Sequence, residues 1–333
     1  MIRRRSLLLA ATAAAATTTR PARASPARPF DQLPAAFAAI EARLNTGLNT
    51  RLNARFGTRL GVAVLDTGNG QGAGHRAQEA FPMGSTYKLL AAGAVLARAD
   101  AGAERLDRTL PIDPAALVAY SPVTQAHPDG MTLAALCDAA VTRSDNTAGN
   151  LLLDVLGGPA GLTAFLRGLG DGATRLDRTE PSLNEATPGD PRDTTTPAAM
   201  LRDMHALLFG PALSAASRQA LQAWLRDSRT GAARLRAGLP AGPPAGLPTS
   251  PPAGWTAGDK TGTAGHGTHN DVGVLWPPAG AAPIIVAAFL TALPADNPAH
   301  NPPDNPADDP TLGPARDQAL AAVAAAIVAA HPG

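Results

Sequence analysis

Strand-like segments occur near both ends of this 333-residue chain, and a long helical stretch separates them. Alternating or β-rich patterns cover residues 59–66, 74–77, 255–263, 271–276 and 283–291. The turn Thr-Gly-Asn-Gly after the first of these is typical of a hairpin, so its strands should pair antiparallel. We therefore expect an α/β fold in which both ends of the chain build one antiparallel sheet flanked by helices.

The helical stretch predicts a second part of the fold. Residues 85–237 carry mostly helical patterns with Gly and Pro breaks, and we expect an all-helical subdomain there. The α/β part then comprises about residues 31–84 and 238–333. Within it, we expect a first helix over 34–56 and a last helix over 317–330.

Two segments of the chain, residues 239–254 and 294–314, are rich in proline. Proline fixes one backbone angle and has no N–H to donate, so such runs favour extended structure. We expect both segments to be exposed loops.

The first 24 residues predict an export signal. Three arginines at 3–5 precede an apolar run over 7–16, and Ala-Arg-Ala at 22–24 suits a signal peptidase. The run is too short to span a bilayer. We therefore expect cleavage, a catalytic domain of residues 25–333 without a membrane anchor, and a periplasmic or secreted location. The Arg4-Arg5 pair also resembles a twin-arginine signal.

Charge and cysteine content limit the partners and the disulfides that this chain can have. Removal of residues 1–24 leaves 23 basic and 27 acidic residues, a net charge of −4, which does not favour nucleic acid as a partner. Cys137 is the only cysteine, so no disulfide can form within the chain. Its apolar helical surroundings favour a buried thiol over a reactive one.

Ser85 and Lys88 stand three residues apart at the start of a predicted helix. Side chains at this spacing share one helix face, so Lys88 can approach the Ser85 hydroxyl. A serine becomes a nucleophile when a base takes its proton, and desolvation lowers the pKa of a lysine that acts as such a base. The helix N-terminus adds partial positive charge where an oxyanion would form. The alternative is a capping serine beside a solvated lysine.

Two further polar segments follow. Ser-Asp-Asn at 144–146 separates two helical patterns, where such residues commonly cap helices. As functional groups, the Ser144 hydroxyl can relay a proton and the Asn146 amide can hold a carbonyl. Lys260 and Thr261 precede a glycine within a strand and suit a carboxylate ligand. The alternative for Lys260 is protection of an exposed strand edge.

The order and spacing of these segments resemble class A serine β-lactamases. The chain contains Phe-Pro-Met-Gly-Ser-Thr-Tyr-Lys at 81–88, Ser-Asp-Asn at 144–146 and Asp-Lys-Thr-Gly-Thr at 259–263. Residues 178–186 and 190–195 resemble the omega loop of that family. The resemblance covers nearly all of the mature chain. It implies a β-lactamase/transpeptidase-like fold with the active site between the sheet part and the helical part.

The resemblance implies four catalytic positions. Ser85 would attack the lactam carbonyl and form an acyl-enzyme. Either Lys88, or Glu180 through a water molecule, would take its proton; both alternatives stay open. Ser144 would pass a proton to the lactam nitrogen. Glu180 with Asn184 would activate the water that hydrolyses the ester.

The resemblance also implies the substrate-binding groups. Lys260 and Thr261 would bind the substrate carboxylate, and Asn146 would contact the side-chain amide of the substrate. Tyr120 would form an aromatic wall at the entrance. The backbone N–H groups of the nucleophile and of Thr263 would form the oxyanion hole. The family resemblance implies no metal and no cofactor, and a monomer.

Some positions differ from the family pattern. His269 stands where many relatives carry an arginine, and Arg234 resembles the alternative arginine of other members; a solvated charge is the other interpretation of Arg234. Arg178 and Asp193 match the pair that closes the neck of the omega loop.

Two disulfides of other members are absent. The positions of the bridge common in carbapenem-hydrolysing members are Gly84 and Ala264, and the expected partner of Cys137 is Ala92. We therefore expect penicillins and cephalosporins to be preferred over carbapenems.

Two alternative functions remain open at this point. A penicillin-sensitive DD-peptidase shares the first three motifs, and a β-lactam receptor would be acylated without turnover. Both lack a carboxylate above the acyl ester, so Glu180 and Asn184 favour a hydrolase that confers antibiotic resistance.

Overall fold

The computed structural model describes residues 29–52, 57–240, 254–293 and 308–331. The strands are β1 (Thr58–Asp66), β2 (Gly72–His75), β3 (Phe81–Pro82), β4 (Thr109–Leu110), β5 (Met131–Thr132), β6 (Thr194–Thr195), β7 (Thr256–Ala264), β8 (Thr268–Trp276) and β9 (Ile284–Ala292). The α-helices are α1 (Leu33–Leu52), α2 (Tyr87–Asp100), α3 (Leu133–Thr142), α4 (Asn146–Leu156), α5 (Gly158–Gly168), α6 (Pro197–Leu208), α7 (Ala215–Arg226) and α8 (Gly313–Ala330). Short 3₁₀ turns cover Pro29–Gln32, Gly84–Thr86, Pro114–Ala116, Thr124–Ala126, Ser182–Asn184, Leu235–Gly238, Pro278–Gly280 and Pro310–Leu312.

One five-stranded sheet unites the two ends of the chain, in the order β2-β1-β9-β8-β7. Every neighbouring pair is antiparallel, and β1 pairs with β9 across its full length, from Thr58 opposite Ala292 to Asp66 opposite Ile284. The predicted antiparallel sheet closed by both termini is therefore confirmed.

Strand β9 separates two hydrophobic cores. Ile284, Val286 and Ala288 face one core with α1 and α8, while Ile285 and Phe289 face the other with the helices between β3 and β7. Since successive side chains of a strand point to opposite faces, a strand buried on both sides must be apolar throughout. This explains the run Ile-Ile-Val-Ala-Ala-Phe-Leu-Thr-Ala, in which every residue is buried.

Helix α2 runs through the middle of the helical part. Its first ten residues, Tyr87–Leu96, are all buried, and the helix contacts α3, α4, α5 and α7. A helix that is apolar on all sides is stable only inside a core. Cys137 on α3 belongs to the same core, is fully buried and free, and burial raises the pKa of its thiol. The prediction of a buried, unpaired cysteine is confirmed.

The structure corrects several predicted boundaries. The second strand covers Gly72–His75 instead of 74–77, and β8 begins at Thr268, three residues earlier than predicted. Helix α8 begins at Gly313, and a 3₁₀ turn precedes it, so the predicted loop over 294–314 is wrong at its end. The proline content predicts an extended loop there, but at the first turn of a helix the missing N–H of proline costs nothing.

Other predictions lie outside the described residues. These are the export signal of residues 1–24, the end of the first predicted helix at 53–56, and most of both proline-rich segments. Among the described residues, no single helix is long and apolar enough to cross a membrane, although α4 and α5 meet that test together as a pair bent by 68°.

Two buried carboxyl groups, those of Asp171 and Asp203, lie next to each other. Asp171 accepts hydrogen bonds at Oδ1 from the backbone N–H groups of Ala173 and Thr174, while Oδ2 of Asp171 and Oδ2 of Asp203 receive no donor from the described residues. Desolvation, followed by the charge of Asp171, raises the pKa of Asp203 to about 9. A proton kept by Asp203 at neutral pH would let it donate to Asp171, which accounts for the two carboxylate oxygens that have no other donor in the described part of the chain.

We expect Asp203→Asn to become increasingly stabilising as the pH rises. Unfolded Asp203 loses its proton near pH 3.9, whereas the folded group keeps it until about pH 9. The wild type thus loses stability between these values, and the amide, which always carries a donor, does not. Urea unfolding at pH 5 and pH 8.5 measures the difference. The exposed Asp154→Asn serves as the control, and a stability difference that does not change with pH would contradict the shared proton.

Candidate active site

A cavity of about 470 Å³ lies between β7 and the helical part. Eight of the eleven predicted site residues line it: Ser85, Tyr120, Ser144, Asn146, Asn184, Arg234, Thr261 and Thr263. The other three, Lys88, Glu180 and Lys260, are buried beside it. The structure therefore brings all predicted site residues together, although they come from segments that are distant in the sequence.

Lys88 is the centre of the site. Its Nζ lies 3.0 Å from Ser85 Oγ, 2.9 Å from Glu180 Oε1, 2.9 Å from the Ser144 carbonyl oxygen and 2.5 Å from Asn146 Oδ1. Desolvation is the main influence and lowers the pKa of Lys88, while the charge of Glu180 opposes this shift. A lysine with a lowered pKa gives up its proton more readily, as a base for Ser85 must.

A glycine allows α4 to approach this lysine. A Cβ atom at Gly149 would lie 2.8 Å from Lys88 Cε and 2.5 Å from Tyr87 Oη, closer than side chains tolerate. Asp145 caps the N-terminus of α4, because its carboxylate accepts a hydrogen bond from the backbone N–H of Ala148. The same carboxylate accepts from the backbone N–H groups of residues 123 and 124. These contacts hold the Ser-Asp-Asn segment against α2.

Lys260 supports Ser144 from behind. Its Nζ donates to Ser144 Oγ at 2.9 Å and to the Thr261 carbonyl at 2.8 Å. Burial, and next the nearby charge of Lys88, lower the pKa of Lys260 well below its usual value. Strand β7 is an edge strand, but Lys260 is fully buried, so the alternative of a lysine that guards an exposed edge is wrong.

The loop after α5 places Glu180 above the nucleophile. Ser85 Oγ lies 3.3 Å from Glu180 Oε1, and Asn184 Nδ2 donates to Glu180 Oε2. Asn150 holds the backbone of Glu180 from both sides, since it donates to its carbonyl and accepts from its N–H. Asn184 Oδ1 is buried and receives no donor from the described residues, so it remains able to accept one.

The neck of this loop closes through a charged pair. Arg178 Nε lies 2.6 Å from Asp193 Oδ2, and Asp193 Oδ1 accepts from the backbone N–H groups of residues 177 and 178. The Asp193 carbonyl in turn accepts from Met83 N at 2.9 Å, two residues before the nucleophile. The predicted pair is present, and it ties the loop to the segment of Ser85.

Arg234 lies at the other end of the cavity and is 7% exposed. Nη1 donates to the carbonyl oxygens of Gly262 and Asn270, and Nε lies 2.8 Å from Asp317 Oδ1. Nη2 donates to Thr263 Oγ1 at 2.7 Å. Four of the five guanidinium protons are thus used inside the protein, so the interpretation of Arg234 as a solvated charge is wrong.

His269 shares the carboxylate that holds Arg234. Its Nδ1 lies 2.9 Å from Asp317 Oδ1 and 3.5 Å from Arg234 Nη2. Burial lowers the pKa of His269, an effect that the hydrogen bond to Asp317 opposes. The structure therefore places Arg234 directly beside the position at which the family arginine is missing.

The remaining predicted positions are arranged as follows. Thr263 N lies close to Gly84, the residue before the nucleophile, since a Cβ atom at Gly84 would be 3.4 Å from Thr263 N and 3.6 Å from Ala264 Cβ. Tyr120 is 61% exposed at the entrance. Asn146 Nδ2 donates to the Ala119 carbonyl, and this hydrogen bond orients the amide at the cavity wall.

Sequence reasoning missed Asn150, Arg229 and Thr230. Asn150 follows Asn146 by one helical turn, a spacing that places both on one face of α4 and could have identified it. Arg229 and Thr230 follow α7 without any recognisable motif, and only the folded chain places them on the cavity wall.

Comparisons with known proteins agree with this geometry. The sequence model of the beta-lactamase enzyme family matches residues 43–308. Beta-lactamase AST-1 of Nocardia asteroides is 52% identical over 231 residues, which cover 69% of this chain and 70% of that protein. Beta-lactamase L2 of Stenotrophomonas maltophilia is 47% identical over 232 residues, covering 69% of this chain and 73% of that protein.

Solved structures of other proteins show that the fold of this chain is also similar to that of β-lactamases. An ancestral class A β-lactamase superimposes with a TM-score of 0.75 at 51% sequence identity, covering 90% of this chain and 100% of the other. The putative class A β-lactamase PenP from Rhodopseudomonas palustris gives a TM-score of 0.74 at 50% identity, covering 89% and 100%. With matching motifs, fold and site, the chain belongs to the class A serine β-lactamases.

Proposed function

We propose that this β-lactamase hydrolyses penicillins and cephalosporins through an ester formed on Ser85. The contact of one buried amino group, that of Lys88, with both Ser85 Oγ and Glu180 Oε1 carries this proposal. A serine hydroxyl beside a desolvated lysine can lose its proton, and a carboxylate next to it can activate water. Acylation and deacylation therefore have their bases within one connected group of side chains.

In the acylation step, Ser85 Oγ attacks the lactam carbonyl while its proton passes to Lys88, or through water to Glu180. The backbone N–H groups of Ser85 and Thr263 receive the developing oxyanion. The Ser144 hydroxyl, which Lys260 contacts, then passes its proton to the leaving lactam nitrogen and receives in return, by way of Lys88, the proton that Ser85 lost. The C–N bond breaks, and the opened substrate stays attached as an ester.

In the deacylation step, Glu180 takes a proton from a water molecule that attacks this ester. Asn184 supports the same water, because its Oδ1 is free to accept while its Nδ2 holds Glu180. The ester bond to Ser85 breaks, and the proton returns to Oγ. This step separates a hydrolase from a DD-peptidase or a receptor, neither of which carries such a carboxylate.

The substrate carboxylate is proposed to bind beside Thr261, with the Thr263 hydroxyl as its donor, because the Thr261 hydroxyl gives its one proton to Thr230. Thr263 Oγ1 accepts from Arg234, so its own proton can point into the cavity. We further propose that Tyr120 and Asn146 contact the acyl side chain, and that the absence of a bridge between Gly84 and Ala264 favours penicillins and cephalosporins over carbapenems. Export after cleavage of residues 1–24, a monomeric state and antibiotic resistance complete the proposal.

Removal of Glu180 tests the central step. Glu180→Ala should still be acylated by benzylpenicillin at Ser85 but should release product very slowly, because no base activates the water. Intact-protein mass spectrometry should find a stable adduct with the mass of the whole antibiotic, and Ser85→Ala should form none. The matched control Glu185→Ala removes an exposed carboxylate of the same loop. Wild-type turnover by Glu180→Ala would eliminate the deacylation role.

Removal of Arg234 tests the carboxylate site. Hydrogen bonds to charged groups contribute about 1.5–3 kcal/mol, so Arg234→Ala should lower kcat/KM for penicillins by about ten- to a hundredfold. His269→Ala should have a much smaller effect, since the ring contacts Arg234 only at 3.5 Å. The reverse order of the two effects in steady-state kinetics would show that the assignment to Arg234 is incorrect.

Neutralisation of Asp193 tests the loop neck. Asp193→Asn keeps the shape of the side chain but removes the charge that faces Arg178, and charged hydrogen bonds are about twice as strong as neutral ones. Deacylation should slow by about tenfold, with the melting temperature lowered by only about 2–4 °C. Single-turnover kinetics and thermal unfolding measure both effects. Asp190→Asn on the same loop is the control, and unaltered deacylation would refute this role of the pair.

A further inference from the structure

We infer that Arg229 and Thr230 form a second anion-binding edge of the cavity. This edge would favour β-lactams that carry an additional negative group next to the ring carboxylate, such as cephalosporins with an acidic substituent at C3. The inference rests on the proposed function, because it assigns the ring carboxylate to the Thr261 side of the site.

Both residues belong to the cavity wall, and the backbone there is anchored. They follow the end of α7 and line the same cavity as Ser85 and Thr261. Arg229 N donates to the Thr142 carbonyl at 2.9 Å, which fixes this segment to the end of α3. The Arg229 side chain is exposed, so it can contact a bound ligand without displacing other side chains.

Arg229 differs from the other cations of the site. Lys88, Lys260 and Arg234 are buried and already contact protein acceptors. The Arg229 guanidinium makes no ion pair or hydrogen bond with the described residues. Among the described residues that line the cavity, none is a carboxylate. An anion that reaches this wall therefore meets an uncompensated positive charge.

Thr230 adds a directed donor beside this charge. Its Oγ1 accepts a hydrogen bond of 2.7 Å from Thr261 Oγ1. A hydroxyl has one proton, and within the described part of the chain the Thr230 proton has no acceptor. It is therefore available to a ligand in the cavity that both Thr230 and Arg229 line.

The chemistry of cephalosporins matches this arrangement. Their carboxylate and their C3 substituent are attached to neighbouring ring atoms. A carboxylate bound beside Thr261 can therefore place the C3 group next to Thr230, whose hydroxyl contacts that of Thr261, within reach of the exposed arginine. Exposed ion pairs are weak, so the charge should shift the preference between substrates by about three- to fivefold and should lose its effect at high salt.

The test compares two cephalosporins that share one acyl side chain and differ at C3, one with a sulfonate and one with a neutral group. Arg229→Ala should lower the ratio of their kcat/KM values, sulfonate over neutral, by about three- to fivefold, and Arg229→Glu should lower it further. Arg143→Ala is the matched control, because it removes an exposed arginine next to Thr142 that does not line the cavity. High ionic strength should bring the wild-type ratio close to that of Arg229→Ala.

A second variant examines the hydroxyl. Thr230→Val should raise KM for both cephalosporins by several-fold, and Thr230→Ser should restore it, since only the serine keeps the proton. Calorimetric binding of the same two compounds to Ser85→Ala repeats the comparison without turnover. If the wild type hydrolyses neither cephalosporin, the proposed function is overturned. If adding Arg229→Ala to Ser85→Ala leaves the ratio of the two affinities unchanged, this inference is overturned.

Discussion

The site depends on one fully buried ammonium group. Lys88 connects the nucleophile to the Ser-Asp-Asn segment and to Glu180, which belong to three different parts of the chain. A buried charge is costly without a partner, so the opposite charge of Glu180 and the surrounding oxygen atoms are needed to keep it there. The close approach of α4 at Gly149 and the capped start of that helix at Asp145 both serve this arrangement.

The electrostatics of the cavity follow from how its cations are partnered. Lys260 and Arg234 use most of their donors on the protein, and thereby orient the hydroxyl groups of Ser144 and Thr263. Ser144 and Thr263 line the cavity, whereas Lys260 is buried beside it and Arg234, which also lines it, is only 7% exposed. Arg229 is the exception, since its charge is exposed on the wall. The site thus combines buried charges that orient its polar groups with one exposed charge on its wall.

Local sequence patterns predicted both the sheet and the contact between Ser85 and Lys88, and for the same reason. Strand alternation, a hairpin turn and the spacing of Ser85 and Lys88 are all properties of neighbouring residues. The prediction was weaker where a proline begins a helix, as at the start of α8, because the same residue also ends helices. The short pairs β3–β6 and β4–β5 had no signal, since two-residue strands carry no period. The division into two parts and the roles of the site residues stay predictions.

The sequence by itself determined the family and the antiparallel sheet and predicted which residues form the site, because motif order and periodicity are properties of the chain. Tertiary structure alone decided which groups meet: Ser85 and Glu180 are 95 residues apart, and Ser144 and Lys260 are 116 apart. It also decided that Lys260 is buried on an edge strand and that Thr230 joins the wall. Burial and long-range hydrogen bonds depend on which elements pack together, and no local pattern encodes that choice.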